Sequence, residues 1–124
     1  MANEHGLEEN IGKIRISDHI LCACVANSTK KFPGVLSTEN LTTEKALDII
    51  SRDISVFDGV KITRKDGVPF VDVFIVVEYG TQIPKLAWEL QKKIKKDFAS
   101  ISDENIEEIN IHIEGVDAKE HIHE

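Results

Sequence analysis

Residues 68–98, VPFVDVFIVVEYGTQIPKLAWELQKKIKKDF, constrain this chain more than any other stretch. They join a strand that is apolar on both sides to a helix with one apolar stripe. Val71, Val73, Ile75, Val77 and Tyr79 alternate and are expected to face a core together, because successive side chains on a strand point to opposite faces. The other face carries Phe70, Phe74 and Val76, interrupted only by Asp72 and Glu78. In a domain whose helices cover one side of its sheet, this second set is left for water or for a partner. It is the lead on function.

Gly80 ends the strand, Thr81 is placed to cap the next helix, and Pro84 falls in the first turn, where its missing donor costs little. Ile83, Leu86, Ala87, Leu90, Ile94, Phe98 and Ile101 then lie within about a third of the circumference at about 100° per residue. Trp88 points well away from that stripe. A last strand sets Ile109, Ile111 and Ile113 inward and Asn110, His112 and Glu114 outward. Upstream, Val60 and Ile62 alternate with Lys61 and Thr63, and Asp66-Gly67 is a two-residue turn signal, which predicts a hairpin with Pro69 at the start of its second strand.

The first half is read from weaker signals. GKIRI at 12–16 alternates Ile14 and Ile16 with Lys13 and Arg15, predicting a short half-buried strand. Ser17 or Asp18 offers an N-cap for a helix that runs to about Lys31 and stops at Pro33-Gly34. Its expected stripe is Ile20, Leu21, Cys24, Val25, Ser28 and Phe32, which buries Cys24 and turns Cys22 outward. Two residues apart on a helix, the thiols diverge by about 200° and cannot bridge, so both read as free, in keeping with a reducing compartment. Thr42 or Thr43 followed by EKALDIISRDI predicts a short helix packing Leu47, Ile50 and Ile54 downward.

The order β-α-(α)-β-β-α-β predicts an α+β fold, a two-layer sandwich with one mixed sheet and its helices on one face. Its outward face would show Lys13, Arg15, Lys61, Thr63, Phe70, Phe74, Val76 and His112. Residues 1–11 are expected to be a flexible N-terminus, 12–117 a single domain, and 118–124 a flexible acidic and histidine-bearing tail. A length of 124 residues suits one domain.

The net charge of −7 opposes phosphate binding. No apolar run approaches the roughly 20 residues that cross a bilayer, and MANEHGLEEN is acidic where a secretory signal would be basic and then apolar, so a cytosolic location is expected. Charge is unevenly placed: Lys85–Lys96 holds five lysines against one glutamate, and Phe98–Glu124 eight acids against Lys119 alone. A basic helix and an acidic tail can pair within a subunit or between subunits.

Chemistry is sparse. Neither a G-x-S-x-G elbow nor a Gly-rich phosphate loop is present. Asp72 and Glu78 lie about 20 Å apart along a strand, too far for joint acid and base work. His121 and His123 in the tail, with His112 upstream, form the one ligand-like cluster; as terminal residues they read as a frayed end rather than a zinc or nickel site. No catalytic residue, cofactor or metal is expected.

PGV at 33–35, GVKI at 59–62, VDVFIVVEYGTQIPKLAWELQKKIKKDF at 71–98 and INIHIEGV at 109–116 together resemble the alkaline shock protein family, also described as Gls-type general stress proteins, of mainly Gram-positive bacteria. The likeness covers most of residues 11–117. It implies a small cytosolic, non-enzymatic protein linked to envelope homeostasis and stress, which self-associates and, in some members, is held at the membrane by a partner carrying the same domain. The family has no established catalytic residues to carry over. The polar segment from Ser37 to Asp58 is longer than the family pattern, and the acidic N-terminus also departs from it. Phe70, Phe74, Val76, Trp88, Lys13, Arg15 and Lys61 are the interface candidates, serving a homo-oligomer or a membrane-anchored partner. Two other readings use the same chain: an RNA-binding module in which Phe70 and Phe74 stack bases beside the basic residues, and an accessory factor for an enzyme of lipid or envelope synthesis.

Overall fold

A buried strand needs partners for its backbone groups on both edges, and the longest strand has them. The computed structural model describes residues 12, 14–40 and 53–118. In chain order the elements are α1 (Asp18–Lys30), β1 (Val35–Thr38), β2 (Ile54–Phe57), β3 (Val60–Lys65), β4 (Val68–Glu78), α2 (Ile83–Ser102) and β5 (Glu108–Asp117). Along one edge of β4 lies β5, parallel, in register from Phe70 with Glu108 to Glu78 with Asp117. The other edge is shared: β3 pairs antiparallel with residues 68–73 and β1 with 75–77. Phe74 is the handover, donating its N–H to Gly59 O at 2.9 Å while its carbonyl accepts from Glu39 N at 2.8 Å. β2 closes the sheet beyond β3. The result is a mixed five-stranded sheet with α1 and α2 packed on one face, an α+β sandwich of two layers.

Local chemistry sets these junctions. Asp66 (φ 53°) and Gly67 (φ 82°) both take the left-handed conformation that a tight two-residue hairpin turn demands. Gly34 and Gly59 are required twice over: both have positive φ, and a Cβ would lie 2.5 Å from Leu86 Cδ1 at Gly34 and 2.9 Å from Glu39 O at Gly59. The core comprises Val60, Ile62, Val71, Val73, Ile75 and Val77 from the sheet and Leu21, Cys22, Val25, Leu86, Leu90, Ile94 and Phe98 from the helices. Arg64 ties three elements at one end, with two hydrogen bonds to Asp18 (3.1 and 2.8 Å), two to Glu104 (2.8 and 2.9 Å) and one to Gly67 O (2.9 Å). Its charge is held on even more firmly than usual, first by Glu104 and then by Asp18.

Several expectations are corrected. The stretch before α1 is not a strand: Ile14 is 94% exposed and Ile16 also faces solvent, while Lys13 lies outside the described residues. The place beside β4 that such a strand needs is taken by β1, a strand of only four residues with a bulge between Val35 and Ser37. Ile54 belongs to β2 rather than to a helix; the helix expected over 42–54 falls mostly on residues 41–52, outside the described residues. On α1 the buried arc is Leu21, Cys22, Val25, Ala26 and Thr29, so the thiols exchange roles. Cys22 Sγ lies 3.5 Å from Ser55 O, and burial pushes its pKa up to about 12, which leaves it inert. The reason is that α1 has two nearly equivalent apolar stripes, and β2 packs against the one containing Cys22. Ser17 is the N-cap, accepting from Ile20 N at 3.2 Å. On α2 the N-cap is Gln82 rather than Thr81, Ile101 is exposed at the last turn, and Tyr79 projects into solvent beyond the end of β4.

Candidate functional site

The face of the sheet opposite the helices is built by parity. Val71, Val73, Ile75 and Val77 point into the core, so Phe70, Asp72, Phe74, Val76 and Glu78 point the other way. Register then adds neighbours: Thr63 opposite Phe70 and Lys61 opposite Asp72 on β3, Asn110 beside Asp72 and His112 beside Phe74 on β5. Ile54 and Val56 of β2 join the same face, because they pair with Thr63 and Lys61. Among the described residues no helix lies over this surface.

At its centre is a polar and aromatic cluster. The imidazole of His112 stacks on the Phe74 ring with centroids 4.3 Å apart and 10° between planes, and its Nε2 is 2.9 Å from Asp72 Oδ1. Asn110 Nδ2 donates to the same oxygen at 3.1 Å. Phe74 is thereby only 7% exposed although it lies outside the helix-side core. Phe70 and Val76 are half-buried, and Lys65 Nζ sits 4.6 Å over the Phe70 ring. Asp72 and His112 hold each other, with Asn110, by hydrogen bonds, and among the described residues no Ser, Thr or Cys is shown bonded to either. Glu78 sits six residues further along β4, as the separation of the two acids requires.

The other interface candidates are scattered. Lys61 is on the face, but Arg15 lies in the segment before α1, where it shares a cleft with Leu21, Arg64 and Glu104, and Lys13 is outside the described residues. Among the described residues, the lysines on this face beside Phe70 are Lys61 and Lys65. Trp88 is 59% exposed on α2 with Lys92 Nζ 3.8 Å over its ring. It lies beside a groove of about 180 Å³ whose other walls are Gln91, Lys95 and residues 106–109, on the helix side of β5. Across this groove Gln91 Nε2 donates to Ile109 O at 2.8 Å. The Asp72–His112 pair and the contribution of Ile54 and Val56 were not foreseen; the outward parity of Asp72 and His112 was readable, but their adjacency needed the parallel register of β4 and β5. The histidine tail lies outside the described residues, and among those described no group of three His, Cys, Asp or Glu side chains is placed to hold a metal. No helix among the described residues is long and apolar enough to cross a membrane.

Comparison with known proteins places this surface in context. Residues 6–118 match the alkaline shock protein 23 family, whose description is a cell envelope-related function. The chain is similar to an uncharacterised protein of Streptococcus pyogenes, with 30% identity over 112 residues, 90% of this chain and 84% of the relative. It is also similar to two uncharacterised proteins of Bacillus subtilis: YqhY, with 27% identity over 88% of this chain and 80% of the relative, and YloU, with 22% identity over 89% and 92%. No solved structure matches.

Proposed function

Because the chain belongs to the alkaline shock protein 23 family, with its cell envelope-related function, we propose that it is a non-enzymatic cytosolic interaction protein that works by self-association and by docking on a membrane-held partner. The observation that carries this reading is the helix-free face of the sheet. Ile54, Val56, Phe70 and Val76 surround the Phe74–His112 stack there without a second layer among the described residues. Aromatic and branched side chains set among a few fixed polar groups are the composition of a protein interface rather than of a solvated sheet face. The hydrogen-bonded Asp72–His112–Asn110 cluster supports the same reading, since fixed polar groups give such a contact direction. An RNA platform is the weaker use of this face, because the net charge of −7 opposes phosphates and, among the described residues, Lys61 and Lys65 are the lysines beside Phe70.

Light scattering after size exclusion tests the proposal, from micromolar to near-millimolar protein at low and moderate salt. Mass is expected to rise with concentration and to vary little with salt, since the contact is mainly apolar. A monomer at every concentration, with no recovery of a membrane protein by the tethered chain from detergent-solubilised membranes, would count against it.

A further inference from the structure

The free edge of β5 is a second surface, distinct from the sheet face. Even-numbered residues of β4 direct their backbone groups toward β3 and β1, as both bonds of Phe74 show. The odd-numbered ones therefore bond β5, and alternation assigns Glu108, Asn110, His112 and Glu114 to that ladder. Ile109, Ile111 and Ile113 turn their N–H and C=O groups outward. The Ile109 carbonyl confirms the direction, because it is met from outside the sheet by Gln91. A shift of register between Ile113 and Gly115 then changes the phase, and the bond from Tyr79 N to Asp117 O at 2.7 Å leaves Val116 outward. Among the described residues no strand pairs with this edge. It carries no proline or lysine to blunt it, and its bulge at Gly115 lies near one end.

We infer that this edge pairs antiparallel with the β5 edge of a second copy, about a two-fold axis at His112, to form one ten-stranded sheet. The inference rests on the self-association proposed above. The Gln91 clamp at Ile109 and the bulge at Gly115 bound an open window, 110–114, whose centre is His112. A two-fold there lets Ile111 and Ile113 exchange both backbone hydrogen bonds with Ile113 and Ile111 of the other copy, which uses every open group in the window. Charge selects the same register. Asn110 comes opposite Glu114, whereas centring on Ile111 would oppose Glu108 to Glu114 on both sides of the axis. The ends also match. Val116 lies on the helix side of the sheet yet is 50% exposed, and pairing carries it toward the second copy's groove beside Trp88. An axis normal to the sheet keeps all four helices on one side and leaves the opposite face open for a further partner.

Residue-resolved hydrogen exchange of the full chain, run beside light scattering across the same concentrations, tests this. At low concentration the Ile111 and Ile113 amides should exchange freely while those of Asn110 and His112 are protected. As the mass doubles, the two isoleucine amides should slow at least tenfold. Ile113→Pro removes an outward donor at a position where an edge strand tolerates proline, and should raise the dimer dissociation constant at least tenfold. Doubling of mass with Ile111 and Ile113 still exchanging freely would overturn the edge pairing and leave self-association standing. Protection at every concentration would mean that the edge is filled from within the chain, and would overturn it too. A monomer throughout would remove both.

Discussion

The two faces of β4 are made from similar residues and have different fates. Toward the helices, Val71, Val73, Ile75 and Val77 have no measurable exposure; away from them, Phe70, Asp72, Phe74, Val76 and Glu78 are covered only as far as their strand neighbours reach. Hydrophobicity does not distinguish them, since two phenylalanines are on the open side. What differs is the layer above: α1 and α2 seal one face, while among the described residues no helix covers the other, where the His112 imidazole stacks on Phe74. An apolar strand face thus becomes core or contact surface according to what the rest of the chain places over it.

The largest way to break this contrast is Val73→Asp, which puts an unpaired charge in the sealed layer; loss of cooperative unfolding is expected in a denaturant titration, because such burial exceeds about 4 kcal/mol, a large share of a domain's stability. On the open face the cost should fall with distance from the His112 stack. Phe74→Ala is expected to destabilise by about 2–3 kcal/mol, below the usual core value for phenylalanine, because its ring lies on the face that no helix among the described residues covers. Phe70→Ala should cost less than about 1 kcal/mol while weakening self-association or partner capture. Equal losses at the two phenylalanines in urea titrations would show that the open face is covered as thoroughly as the core. The smallest effect belongs to the rim. Asp58, in contact with Lys30 and accepting from Thr38 Oγ1 at 2.9 Å, has its carboxyl held below the usual range, first by Lys30. Its contribution is therefore present above the ordinary carboxylate pKa and is lost as pH falls through the lowered one. Asp58→Asn should shrink, slightly, the drop in melting temperature between pH 5 and pH 3.

How far the sequence could be read tracks how strongly each segment repeats. The α2 stripe, the 66–67 turn and the inward and outward parity of β4 and β5 were legible, because each rests on a period sustained over many residues or on a turn that few residues can make. The short strands were not. β1 and β2, of four residues each, carry no periodic signal. GKIRI alternates as a strand should, but Ile14, Arg15 and Ile16 take no strand. The interface candidates divide the same way: Phe70, Phe74 and Val76 were placed by parity, and Arg15 was misplaced with its segment.

What the sequence by itself determined was the orientation of the long elements: which side of β4, β5 and α2 faces inward, where the hairpin turns, and that helices pack on one face of a mixed sheet. These follow from backbone geometry acting over neighbouring residues, so local pattern suffices. Only the tertiary structure decided which thiol on α1 is buried, that β1 and β3 share one edge of β4, and that Asp72, Phe74, Asn110 and His112 meet. Those outcomes depend on register and on competition for edges between residues about 40 apart, and one strand cannot encode its neighbour's alignment without the neighbour in place.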